Sequence, residues 1–426
     1  MVRKIIISLF MVMAIFSFNS AGAQVTVVGQ NNPTTDIQAV QKAVDQGGII
    51  NLKGTFDFGD KGRVNITKDV KIVGETDQKG GPATKIKGGF WTFHSPLPAK
   101  SPPEAPGPKI TIQSIHFDGA LWGPVNLAYS SGATISDNKI TNVRPFLFEQ
   151  PVSGMTGVSL QHGIYCGPRI TQAMLPPEKR TYTPDVFTGN LKISDNEIDV
   201  ANDNPIKTMG QGIFVVWTKG ATMQISRNTI YNCSRNSIEV VDNYLDKDGN
   251  GMVIIQDNKI VTSQEGIPIP SPRTPNGIVA GWFFDPAGAM DPKRNPKYIV
   301  INNAIRARGQ TSMGIFVPSD NAVISNNAVL TEGSEAWGII HFTSNCYIAH
   351  NRIEGRGAHA IQIVPMRGQL GSKNFLIGND FSQFKASRCD IALEKDSKYN
   401  VVGGSSGTVV DQGSGNQIEG LKSVAK

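Results

Sequence analysis

Residues Gly314 to Val364 read GIFVPSDNAVISNNAVLTEGSEAW, then GIIHFTSNCYIAHNRIEGRGAHA, then IQIV. Laying Gly314 over Gly338 also lays Ile315 over Ile339, Ile324 over Ile348, Asn327 over Asn351 and Val329 over Ile353. That constant offset of about 24 residues lies in the range of solenoid repeats. Within each copy three short runs alternate apolar and polar residues between Gly, Ser, Asn and Asp. Each copy therefore reads as three β-strands and three turns.

Working outward, the strand-opening motif recurs at Gly163, Gly212, Ser237, Gly277, Gly314, Gly338, Ala360 and Asp390, each followed by Ile. Alternation along a strand sends that Ile column into the bore together with Cys166, Val215, Val240, Ala280, Val317, His341, Ile363 and Leu393, two residues further on. By parity His341 is a core histidine rather than a catalytic one. An Asn also recurs before the third strand of each copy, at Asn138, Asn196, Asn228, Asn258, Asn303, Asn327, Asn351 and Asn379. Asn tolerates the left-handed region and satisfies turn backbone, so a structural amide ladder is expected.

Toward the N-terminus, Ile37, Val40 and Val44 share one helical face after the capping residues Thr34, Thr35 and Asp36, and Gly47-Gly48 ends the run. A short helix there would cover the open end of the stack. The segments IQAVQKAV, GGIINLKGTF and VKIVGE, with the repeated GI-V and ISNN-I, resemble the right-handed parallel β-helix proteins of the pectate-lyase-like superfamily. The resemblance implies an all-β, single-stranded right-handed parallel β-helix with a short N-terminal capping helix. That fold hosts lyases, hydrolases, esterases, epimerases and non-enzymatic binders, so function must be read from the site.

Residues 1–23 carry Arg3 and Lys4, an apolar run and Ala21-Gly22-Ala23, the layout of a signal peptide. Residues 24–75 read as cap and first strands, and 76–420 as the repeat domain. The product is expected outside the cytoplasm, secreted or periplasmic, without lipid anchor or membrane insertion. Four cysteines, Cys166, Cys233, Cys346 and Cys389, are too scattered for a disulfide framework or zinc site. A formal net charge of +6, spread along the chain, is a mild bias toward anionic partners such as acidic polysaccharide. No nucleic-acid partner or cofactor is expected, and the chain should act as a monomer.

Longer spacings mark insertions at Pro168 to Gly189, Asn202 to Gln211, Asn243 to Gly251, Gln264 to Asn276 and Phe283 to Lys297. Loops beside the first sheet would wall a binding face. There Trp217, Asp242 and Trp282 fall at equivalent positions of successive coils, suggesting a sugar-stacking platform, with plain corner packing as the competing reading. Glu239 and Asp242 offer the carboxylate pair that glycoside hydrolysis needs. Polygalacturonase-like members of the superfamily carry an adjacent Asp pair and a Gly-His-Gly, and this chain has neither. For lyase chemistry, His162, Tyr165 and Arg169 cluster near one strand and Arg273 enters on a loop, supplying a base and cations. Arg273-Thr-Pro275 matches the pectate-lyase Arg-Pro motif only in part. Asp246 to Gly251 resembles the start of a calcium loop, but Asp257 lies a strand's length away, so no metal site is expected. The expectation is an exported protein that recognises an extracellular polysaccharide along its first sheet, with lyase or hydrolase activity open and a non-catalytic scaffold as the alternative.

Overall fold

The computed structural model describes residues 24–147, 159–168, 184–201, 208–263, 275–282, 295–365, 371–405 and 407–424. The proposed signal peptide, Arg169, Arg273 and most of the insertions lie outside them. Among the described residues three sheets wind into a right-handed parallel β-helix, with strands of 14, 14 and 11 in sheets one, two and three. One bare coil shows the order: Met313–Phe316 in sheet one, Val323–Ser325 in sheet two, Ala328–Thr331 in sheet three, then Trp337–His341 back in sheet one. Among the described residues Phe146–Leu147 pairs antiparallel with Ser159–Cys166, and an isolated antiparallel bridge joins Thr76 and Pro82.

The inward columns follow the sequence. Ile164, Ile213, Ile238, Ile278, Ile315, Ile339, Ile361 and Ile391 are register partners from coil to coil and are fully buried. Burying each such side chain contributes roughly 1.5–3 kcal/mol against the ordering entropy. His341 sits in the bore as parity requires, its Nε2 3.0 Å from Thr343 Oγ1, and burial pushes its pKa down to about 4.

The glycine before the Ile has a steric reason. A Cβ at Gly163 would lie 2.5 Å from Ile198 Cγ2, at Gly212 2.6 Å from Ile230 Cγ2, and at Gly314 2.3 Å from Val329 Cγ1. Each contact is with the apolar side chain of the third strand, so Gly, or a residue as small as Ser237 or Ala360, is favoured at this corner, with Asp390 in the last coil the exception.

The Asn ladder forms as expected. From Asn138 to Asn351 each Asn donates its backbone N–H and its Nδ2 to Oδ1 of the next, at 2.9–3.1 Å, and Asn379 ends the run on Ser405 Oγ. The residue before each rung bends the chain in the left-handed region, from Asp137 at φ 58° to His350 at φ 55°. A second, shorter ladder, Asn374 to Asn400 to Asn416, runs along the corner between sheets one and two.

At the N-terminal end the helix spans Pro33–Val44, earlier than the sequence reading placed it, because Asn32 is the cap and accepts from Thr34 and Thr35 N–H. Asp36, expected as a cap, is instead buried inside the first turn. It accepts from the backbone of Gln30, Asn32 and Asp57, tying the helix to the first coil. Asp246 closes its own turn by accepting from Asp248 and Asn250, as a plain turn does. The four cysteines are buried free thiols. No helix among the described residues is long and apolar enough to cross a membrane.

Candidate functional site

The tight glycine corner has a second effect. Since the Cβ direction at Gly163 faces the bore and Ile164 does too, alternation is interrupted between them, and the residue before the glycine turns outward. The outer face of sheet one therefore carries two rows. One is Tyr165, Phe214, Glu239, Val279 and Phe316, stacked in register. The other is His162, Gln211, Asn236, Asn276, Met313 and Trp337, two residues before the Ile.

The rows meet at Glu239. Its Oε2 accepts from Gln211 Nε2 and from Asn236 Nδ2, the latter at 2.5 Å. Asn276 Nδ2 donates to Asn236 Oδ1 at 2.8 Å, and Asn276 Oδ1 accepts from Met313 N–H at 3.1 Å. Glu239 is 5 % exposed and lies between Phe214 and Val279. Burial pushes its pKa up, partly offset by Arg235 and the two amides.

His162 packs against Tyr165 and Phe214, with ring centroids 5.4 and 5.7 Å apart. Burial lowers its pKa to about 3, so the imidazole is neutral, with one donor and one acceptor nitrogen. Neither nitrogen has a hydrogen-bond partner among the described residues, nor has Oε1 of Gln211 beside it. Buried polar groups are nearly always satisfied, so neighbouring orphans on one face mark a place built for more than packing. Toward the N-terminus the outer row continues through Asn126 and His94, joined from Nδ1 to Oδ1 at 3.0 Å. A neutral imidazole and a carboxyl held toward its protonated form make an acid–base set.

The structure thus brings His162 and Tyr165 together on the face that bears Glu239. It places Asp242 elsewhere: past the strand end at φ 52°, at the corner leading to sheet two, where its charge acts on the buried phenol of Tyr298. Trp217 and Trp282 do occupy successive coils with Asp242, and Trp217 follows the strand end at φ 57°. Neither indole is presented to solvent: Trp217 is 1 % and Trp282 2 % exposed, and Trp282 packs edge-on against Tyr244 and donates to Asn295 Oδ1. Gln211, Asn236 and Asn276 escaped the sequence reading. Three polar residues at one repeat position are the signal, and they precede the glycine, outside the alternation that follows it.

Compared by sequence, the chain matches no family model and no curated protein. Compared by structure, it is similar to three solved proteins among others. The mannuronan C-5 epimerase AlgE4 A-module of Azotobacter vinelandii is 13% identical, with 87% of this chain and 95% of that one covered and a TM-score of 0.35. A tailspike protein of E. coli bacteriophage HK620, in complex with a hexasaccharide, is 11% identical over 91% and 77%, with a TM-score of 0.47. The Streptococcus pneumoniae surface protein and adhesin PfbA is 12% identical over 91% and 92%, with a TM-score of 0.42. The β-helix assignment rests on this chain's own strand register.

Proposed function

We propose that this is an exported polysaccharide-recognising protein whose site is the outer face of sheet one around Glu239, and that it cleaves an acidic polysaccharide by β-elimination. The observation that supports it most is that the buried carboxyl of Glu239 and the unpartnered imidazole of His162 share that face, two coils apart with Gln211 between them. In this reading the protonated form of Glu239, which burial favours, donates a hydrogen bond to the uronate carboxylate and stabilises the charge that develops there. His162 takes the proton from the carbon α to that carboxylate. The electron pair forms the new C=C bond, the glycosidic C–O bond breaks, and Tyr165 returns a proton to the leaving oxygen. Residues 1–23 act as the signal peptide, 24–75 as cap and first strands and 76–420 as the repeat domain of a monomer. Trp217 and Trp282 are assigned to corner packing.

The test is incubation of the mature protein with polymannuronate, polyguluronate, polygalacturonate and neutral glycans, following ultraviolet absorbance of unsaturated product and, separately, reducing ends. Unsaturated product from a polyuronate supports the reading. Reducing ends alone point to hydrolysis with Glu239 as the acid, and binding without product to a non-catalytic receptor. Absence of both leaves the scaffold alternative, which draws on the apolar cluster that Phe214, Trp217 and Phe316 form on the same face.

A further inference from the structure

The first coils of sheet one lack the Gly-Ile motif, but strand register carries the outer face through them: Val64 pairs with Phe93, Phe93 with Val125, and Val125 with Ile164. Trp91 therefore stands two residues before the bore position, in the row that continues as His162, and His94 stands in the row of Tyr165. Around them lies an aromatic group. Trp91 and Trp122 are 4.6 Å apart between ring centroids, Trp122 and Phe146 stack at 4.9 Å with an interplanar angle of 6°, and Phe90 meets Trp91 at 5.2 Å and Phe146 at 5.3 Å. Trp91 also lies 5.0 Å from the His94 ring.

Unlike Trp217 and Trp282, part of this group reaches the surface: Phe90, Trp122 and Phe146 are half-buried, while Trp91 is 5 % exposed. A cation accompanies it, since the Arg63 guanidinium lies 4.7 Å from the Phe90 centroid and 4.9 Å from that of Trp91. Arg63 is itself half-buried, and its Nε donates to Phe90 O at 3.0 Å, which fixes the planar group against the rings. Trp91 and Trp122 adopt left-handed φ values of 48° and 67°, as Trp217 and other turn residues of the coils do.

We propose that Phe90, Trp91, Trp122 and Phe146, with Arg63, form a second saccharide subsite that holds a uronate residue of the chain whose scissile bond lies at Glu239. The inference rests on the saccharide reading of sheet one and extends it. Three features select the occupant. Aromatic faces take the apolar side of a pyranose, a guanidinium takes a carboxylate with directed hydrogen bonds, and the subsite lies on the same face as the acid–base set. From the coil of Phe93 to that of Ile238 there are four coil steps, through Val125, Ile164 and Ile213. At about 4.8 Å per step the two places are roughly 19 Å apart. Short oligomers bound at one place cannot reach the other, whereas longer ones can.

The experiment compares binding of manno-, gulo- and galacturonate oligomers, from di- to octasaccharide, and of neutral malto-oligomers, to the wild-type protein, Arg63→Gln, Trp122→Ala and Trp122→Phe. Thermal unfolding is recorded for each variant. Wild-type affinity for a uronate should rise with length once both places are spanned. Arg63→Gln and Trp122→Ala should remove that gain, about a tenfold loss on the longest oligomer, with little change on the shortest, while Trp122→Phe keeps most of it. Wild-type uronate binding that Arg63→Gln leaves unchanged at every length overturns this inference and spares the reading of Glu239. Failure of every oligomer to bind the wild-type protein overturns both. Arg63→Gln stands as the deciding variant if Trp122→Ala fails to fold.

Discussion

Replacing Asn258 by Ala removes the middle rung of the amide ladder. The side chain takes part in five hydrogen bonds: it donates to Ile225 O, Gln256 O and Asn303 Oδ1, and accepts from the backbone N–H and Nδ2 of Asn228. Asn228 is fully buried, so water cannot replace the acceptor lost to its N–H. With a net value of about 1 kcal/mol per bond and a further cost for the orphaned donor, the expected destabilisation is about 3–5 kcal/mol. Denaturant unfolding should show a lower midpoint at unchanged slope. Because each coil touches only its neighbours, amide exchange should quicken most in the coils of Asn228 and Asn303, and little near the N-terminal helix. A loss below about 1 kcal/mol would refute the ladder as a source of stability.

Three further substitutions test other parts of the account. Gly314→Val places a Cβ 2.3 Å from Val329 Cγ1 and should cost more than about 3 kcal/mol in chemical denaturation, whereas Ser237→Ala in the same column should cost less than about 1 kcal/mol. Glu239→Gln removes a buried carboxyl whose pKa is raised, so the wild-type carboxyl favours folding below its ordinary value of 4.5 and loses that contribution as pH rises through the folded value. The variant's thermal midpoint should accordingly exceed that of wild type more at pH 8 than at pH 4. His341→Leu replaces an imidazole whose pKa is lowered to about 4 from 6.5. Wild-type stability should fall as pH drops from 6.5 toward 4, and the Leu variant should lose less over that window in the same scans.

The repeat itself was legible because Ile columns and Asn rungs recur in every bare coil, and a solenoid uses one local solution many times. The shorter ladder of Asn374, Asn400 and Asn416 was not, since three copies near one end do not stand out from turn composition. The site was half legible. Tyr165 and Glu239 alternate with the bore residues Ile164, Cys166, Ile238 and Val240, whereas the outward direction of Gln211, Asn236 and Asn276 depends on the interruption at the glycine corner. Trp217 and Trp282 were read in the correct coil position, yet the depth of a side chain depends on what packs over it, which period alone does not report. The aromatic group of Trp91 and Trp122 was hidden because its coils replace Gly-Ile by other bore residues, and only strand pairing shows that they belong to the same face.

The central claim is that the face bearing His162 and Glu239 cleaves a polyuronate, and the most direct measurement is turnover by His162→Gln beside wild type on the polyuronate panel. Wild type should release unsaturated product. His162→Gln should retain oligouronate binding and an unchanged unfolding midpoint at neutral pH, while its turnover falls by about 100-fold or more. Equal turnover by the two proteins, or no unsaturated product from wild type on any polyuronate, would contradict the account.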